Sequence, residues 1–130
     1  MDAGIGTFTE MDFDQAVEAT RKALADHGFG ILHEIDFTAT LKNKIGKDIE
    51  RVLILGACNP EFAGQAYDVS KDVALMMPCN VVVRESAGGC VVEAQNPALL
   101  SRVISGGLQD LAEDLSAEMR LMMKDLALSR

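Results

Sequence analysis

The stretch Val52–Val83 constrains the fold most, because it holds two short apolar runs whose ends carry matching residues. The first run, Val52–Ala57, is almost continuously apolar, which is typical of a strand buried on both faces. It leads into Cys58-Asn59-Pro60, and the second run, 81–83, is preceded by Pro78-Cys79-Asn80. Since asparagine caps helices and proline suits their first turn, the first tripeptide predicts a strand that passes directly into a helix.

The residues before this stretch predict two strand–helix pairs. A strand is expected over residues 4–9, and the capping-box pattern of Asp12 and Gln15 predicts a helix from about residue 13 to residue 27. A second strand is expected over Phe29–Ile35, with Phe29, Ile31, His33 and Ile35 on one face. A short helix through about Lys44 follows, capped by Asp36 or Thr38.

The residues after Pro60 predict a short helix, two or three strands and a long C-terminal helix. The apolar run 73–77 is broken by Pro78, and the loop 86–89 predicts a hairpin between strands over 80–85 and 90–94. Leucine and methionine recur at three- and four-residue spacing over 108–126, after a helical piece near 99–104 and a break at Gly106-Gly107. The pattern indicates an α+β sheet with helices on one face, in which parallel crossovers stay possible.

Length and charge exclude several classes of protein. A chain of 130 residues is expected to form a single α+β domain over residues 1–130 that needs no disulfide or metal to hold its core. Its net charge of -8 disfavours nucleic acid as a partner. No apolar run is long enough for a membrane span and no secretory signal is visible, so we expect a cytoplasmic protein that binds no membrane. The basic group Lys42, Lys44, Lys47 and Arg51 fits a solvated helix face and loop.

The candidate ligand-binding residues are the two Cys-Asn pairs, Cys58 with Asn59 and Cys79 with Asn80. If their strands are neighbours, both thiols come close together, and Cys58 lies at a helix start that favours a thiolate. Two thiols make an incomplete metal site, so His33, a partner subunit or a substrate would have to complete it. The simpler interpretation is structural, because free cysteine is often buried as a small apolar side chain. Cys90, the third cysteine, fits packing.

The two histidines do not form a catalytic pattern. His33 and Glu34 are adjacent on a strand and would point to opposite faces, so they cannot act as an acid–base pair. His27 stands at a helix C-terminus, where a cation is stabilised. We therefore predict no catalytic residue.

The order of these signals resembles the family known as domain of unknown function 302, a set of small bacterial and archaeal proteins. The resemblance rests on His27–Leu32, Leu41–Gly46, the segment Ile54–Pro60 and the segment Leu75–Val83, within about residues 5–97. It implies a curved, mainly antiparallel sheet that carries helices, similar to that of the TATA-binding protein, and a homodimer. The fold likeness does not imply DNA binding, because function belongs to sites and not to architectures.

Together these observations predict a small cytoplasmic homodimer that acts as a binding or accessory module at the two Cys-Asn motifs, with an unknown small-molecule ligand and an unknown cofactor. The alternative is a thiol-dependent redox or soft-metal-handling protein that uses Cys58 and Cys79. A third possibility is a purely structural role for both motifs.

Overall fold

The structure is a computed structural model that describes residues 3–128. It contains five strands and five α-helices with one 3₁₀ helix among them. In chain order these are β1 (Gly4–Thr9), α1 (Phe13–Asp26), β2 (Gly30–Asp36), α2 (Phe37–Ile45), β3 (Val52–Cys58), α3 (Pro60–Val69), the 3₁₀ helix (Lys71–Met76), β4 (Cys79–Ser86), β5 (Gly89–Gln95), α4 (Ala98–Val103) and α5 (Gln109–Leu128).

The strands form one antiparallel sheet in the order β1-β5-β4-β3-β2. The predicted hairpin is confirmed as β4 and β5, whose turn passes through Gly88 at a φ of 80°. Glycine suits that position because a left-handed backbone conformation is strained for residues that carry a side chain. The α+β class and the long C-terminal helix are also confirmed, and the open possibility of parallel crossovers is not realised.

Three helix starts follow the capping residues that the sequence predicts. Gln15 N donates to Asp12 Oδ1 at 2.9 Å and the Gln15 side chain accepts from Asp12 N, which completes the capping box of α1. Asp36 caps α2, and Asn59 Oδ1 accepts from Phe62 N at 3.1 Å at the start of α3. Each cap satisfies a backbone donor that the first helical turn leaves unpaired.

One face of the sheet is covered by helices and the other is not. The long helix α5 packs on β1, and α1 packs against β2, β4 and β5. The covered face presents a set of buried apolar side chains from four strands: Ile5, Leu55, Ala57, Val81, Val83, Val92 and Ala94. Full burial of an aliphatic side chain contributes about 1.5–3 kcal/mol, so this layer makes a large contribution to the driving force for folding.

Two details of the strands differ from the sequence prediction. A bulge between Ile31 and His33 shifts the register of β2, so Ile31 faces the helices while His33 and Ile35 face the other way. The prediction that these residues share one face was therefore wrong. The expectation that β3 is buried on both faces holds in part, because Val52 and Gly56 are buried on the uncovered face but Ile54 is only half-buried there.

The apolar run after α3 forms a 3₁₀ helix and not a third strand. Ser70 caps it, since its hydroxyl accepts from Asp72 N at 3.3 Å, and Val73 points into the core. The backbone is extended at Met77, a cis peptide bond joins Met77 to Pro78, and β4 begins at Cys79. Within residues 3–128, no helix has the length and apolar character needed to cross a bilayer.

His27 connects the end of α1 to α5. Its imidazole lies between two carboxylates, with Nδ1 2.5 Å from Glu118 Oε2 and Nε2 2.6 Å from Asp125 Oδ2. A neutral imidazole can donate from only one nitrogen, so this arrangement fits the protonated ring. The hydrogen bonds to Glu118 and Asp125 raise the pKa of His27, against the effect of desolvation.

We expect this contact to make stability depend on pH. The folded pKa of His27 lies above its ordinary value of about 6.5, so the stabilisation is fully present below that pH and is lost as pH rises through the folded pKa. Urea unfolding at a series of pH values from about 6 to 9 should show the free energy of unfolding falling more in wild type than in His27→Gln.

His33→Gln is the matched control, because His33 is exposed and lies on the uncovered face. In the His33→Gln background, His27→Gln should reduce the dependence on pH as it does in wild type, because the contacts of His27 with Glu118 and Asp125 are unchanged. Equal slopes for wild type and His27→Gln would contradict the assignment.

Candidate functional site

The uncovered side of the sheet, here called the open face, is defined by the outward residues of all five strands. These are Gly4, Gly6, Phe8, His33, Ile35, Val52, Ile54, Gly56, Cys58, Asn80, Val82, Arg84, Val91, Glu93 and Gln95. Side chains on one face of a strand recur every second residue, so residues opposite one another in the register lie side by side. The register therefore arranges the open face in rows that run across the strands.

The apolar side chains of the open face form one row of three residues and one pair of residues next to it. Ile35, Ile54 and Val82 lie opposite one another on β2, β3 and β4, while Phe8 and Val91 pair on β1 and β5. Phe8 is 45% exposed and Ile35 is 41% exposed. The open face thus carries apolar side chains that are only partly withdrawn from solvent.

A polar row borders this apolar row. Asn80 lies opposite Gly56 on one side, and His33 lies opposite Gly56 on the other. The imidazole of His33 covers Gly56, because a Cβ built on this glycine would lie 2.5 Å from His33 Cε1 and Nε2. Any side chain at residue 56 would therefore displace the ring.

The two cysteines of the candidate site have different surroundings. Cys79 pairs with Ala57 on the covered face and is 7% exposed, whereas Cys58 is half-buried at the end of β3. Burial and the nearby Cys58 thiolate raise the pKa of Cys79 to about 11. The thiols are thus within electrostatic reach, but that of Cys79 stays protonated at neutral pH and is a poor nucleophile.

The two asparagines are also separated. Asn59 caps α3 and faces α5, where it lines a cavity of about 230 Å³ together with Phe62 and Glu118. Asn80 is exposed on the open face. The structure therefore brings only part of the predicted four-residue set to one surface.

A shallow hollow lies beside Asn80. Its volume is about 410 Å³, and it runs along β4 and β5 towards the start of β1. Residues from these strands line it, among them Gly4, Asn80, Val82, Glu93 and Gln95. It offers amide, carboxylate and apolar groups, which can orient a small polar ligand but carry no obvious nucleophile.

No cluster of three histidine, cysteine or acidic side chains suited to a metal occurs within residues 3–128. The thiol pair therefore has no third protein ligand of that kind in this part of the chain.

His33 is the residue that the sequence pattern placed least well. The simple alternation of β2 put it on a face with Ile31, and the bulge reverses that placement. A glycine at residue 56 in an otherwise apolar strand is the one signal of a close approach, because glycine inside a strand often marks such a contact.

Comparisons with known proteins agree on one family. The model of the family described as domain of unknown function DUF302 matches residues 6–126. The crystal structure of an uncharacterized conserved DUF302 protein from Bacillus stearothermophilus is similar to this fold. Its TM-score is 0.90 and its sequence identity is 20%, with 97% of this chain and 99% of that chain covered. No curated protein matches significantly.

The burial of the thiols predicts their order of modification. In the native protein, iodoacetamide should alkylate Cys58 and leave Cys79 and Cys90 intact, because burial raises the pKa of both latter thiols. Mass spectrometry of the intact protein should show one adduct before unfolding and three after it.

Cys58→Ser should abolish the native adduct, whereas Cys90→Ser should leave it unchanged. Native alkylation of Cys79 in the Cys58→Ser variant would show that this thiol is more accessible than its burial indicates.

Proposed function

We propose that this chain, which belongs to the DUF302 family, is a cytoplasmic homodimer that acts as a binding module, with the open face as both dimer surface and ligand site. The observation that carries the proposal is the half-exposed apolar row of the open face, beside the polar row and hollow at Asn80. All three cysteines are free thiols, which supports a reducing compartment.

The apolar row supports burial of the open face by a partner. An antiparallel sheet can leave one face to solvent, but that face then usually carries polar side chains. Here Phe8, Ile35, Ile54, Val82 and Val91 lie on it. Contiguous partly exposed apolar groups typically mark an interaction surface, and covering them would remove this area from water.

A second copy of the chain fits this surface by charge. Arg84 lies in the row with Phe8 and Val91, while Glu93 lies in the row with Val82 and Ile54. In a twofold dimer the same surface meets itself, so residues on different rows can exchange places across the axis. The guanidinium of one copy can then approach the carboxylate of the other, which fixes the register of the pair.

The ligand site would lie at the polar end of the same face. Asn80 and His33 flank Gly56, Cys58 follows two residues later on β3, and the hollow opens beside Asn80. Strand alternation puts Cys58 on the side of Gly56, opposite to Cys79. Of the predicted site, Cys58 and Asn80 would contact ligand, while Asn59 holds α3 and Cys79 packs beneath the sheet.

A second candidate function is thiol-dependent redox or soft-metal handling. It is favoured by the pairing of β3 with β4, which puts Cys58 one residue beyond Ala57, the partner of Cys79, although the two side chains leave opposite faces of the sheet. Treatment with the two-electron oxidant diamide would join the two thiols in a Cys58–Cys79 disulfide, with a loss of two mass units for the two hydrogens that diamide takes up, and bound metal would add its own mass. The binding module is favoured because the pKa of Cys79, raised to about 11, works against a thiolate.

The dimer is tested by placing a charge in the apolar row. Ile35→Asp should shift the sedimenting species at micromolar concentration from two chains to one, since an unpaired carboxylate would be buried in the interface. Val69→Asp is the matched control, because Val69 is 42% exposed, close to the 41% of Ile35, and lies at the end of α3. A wild-type mass of one chain, or equal effects of both variants, would contradict the proposal.

The ligand site is tested by native mass spectrometry of freshly purified protein. A bound small molecule should appear on wild type and disappear from Asn80→Ala and from Gly56→Ala, in which the new methyl group displaces His33. Asn43→Ala, which changes an exposed asparagine on α2, should retain it. Absence of ligand from wild type, or its retention in both site variants, would contradict this part of the proposal.

A further inference from the structure

A second cavity lies at the start of β3, away from the hollow at Asn80. It has a volume of about 290 Å³ and is formed where α2, the start of β3 and the first turn of α1 meet. The apolar part of its wall consists of Phe13, Ala39, Val52 and Leu53. Phe13 belongs to the hydrophobic core and Leu53 packs against it, so this part of the wall is continuous with the packed interior.

The rim of this cavity is unusually basic for an acidic chain. Lys42, Lys47 and Arg51 line it, although the protein has a net charge of -8. The sequence pattern favoured a solvated helix face for this group, but the fold turns three of its side chains towards one apolar hollow. Apolar pockets with a few convergent polar groups are the usual form of small-ligand sites.

Two carboxylates also line the cavity, and both are engaged. Asp36 Oδ1 accepts from Ala39 N at 2.9 Å as the cap of α2, and Asp48 Oδ1 is 2.9 Å from Lys42 Nζ. The Lys42–Asp48 pair is largely exposed, and exposed pairs contribute little, so it can open when a better anion arrives.

The remaining two cations are available to a ligand. Arg51 is held over the Phe13 ring at 4.2 Å, with Nη2 3.0 Å from Asp14 Oδ1, which leaves other guanidinium N–H groups to donate. Lys47 makes no ion pair with any residue in the range 3–128. Its backbone is fixed because Lys47 N donates to Leu41 O at 3.3 Å, immediately after α2 ends.

We infer that this cavity binds a small organic acid, with its apolar body against Phe13, Val52 and Leu53 and its anionic group between Lys47 and Arg51. The apolar wall excludes a bare inorganic anion as the preferred ligand, because such an ion would gain nothing from that surface. The basic rim discriminates against an uncharged molecule of the same shape. Val52 lies at the edge of the open face, opposite Arg84, whereas the two cations that would hold the anion, Lys47 and Arg51, precede β3. We expect this site to bind its ligand without the dimer.

The test uses the full chain and the fluorescent aromatic sulfonate 1-anilinonaphthalene-8-sulfonate, which joins an apolar body to an anion. Wild type should bind the dye saturably, and hexanoate should displace it more effectively than hexanamide or inorganic phosphate. Lys47→Gln should weaken binding by about fivefold, the range that one exposed ionic contact supplies. Ala39→Leu should reduce it by filling the cavity.

Lys44→Gln is the matched control, since Lys44 is an exposed lysine on α2 that does not line the cavity. It should bind the dye as wild type does, and so should Ile35→Asp on the open face. The inference is overturned if Lys47→Gln and Lys44→Gln behave alike, if Ala39→Leu has no effect, if Ile35→Asp abolishes binding, or if phosphate or hexanamide competes as well as hexanoate.

Discussion

The packing of α5 and α1 on one face of the sheet is the contact on which the rest of the structure depends. The buried stripe of α5 comprises Leu108 just before its first turn, then Leu115, Met119, Met122, Met123 and Leu126. Methionine is flexible and fills irregular gaps, which suits a long helix lying across a twisted sheet. His27 adds a polar tether to the same helix through Glu118 and Asp125. The helices α1 and α5 cover one face of the sheet, and the open face therefore does not take part in this packing.

The open face follows from the twofold period of the strands. Every residue that points into the helical layer has a neighbour that points away from it, so Val81 and Val83 are accompanied by Val82 on the other side. A wholly solvated face would carry polar residues at such positions. Ile54 and Val82 are instead apolar and half-buried, and Asn80, Gly56 and His33 form a polar row at their border.

Patterns of neighbouring residues predicted the helices and strands well, whereas the sequence did not show which distant residues contact each other. The capping box at Asp12 and the Asn59–Pro60 helix start depend on residues within one turn of each other, so the sequence contains the whole interaction. The strand order, the contact of His27 with α5 and the bulge at β2 depend on residues far apart in the chain. The bulge had the largest consequence, because it moved His33 onto the open face beside Asn80.

The difference between what composition shows and what the fold brings together also explains how an acidic protein can present a site for an anion. Net charge describes the average field, which disfavours polyanions, yet at physiological salt charges beyond about 8 Å are largely screened. The nearest groups therefore decide what a small ligand experiences, and at the second cavity these are Lys42, Lys47 and Arg51 against an Asp36 and an Asp48 that already have partners. Residues 42–51 are close in sequence, but only the turn after Gly46 brings Lys47 back beside the apolar start of β3. Composition therefore limits the class of partner, while the fold determines which local charges a small ligand meets.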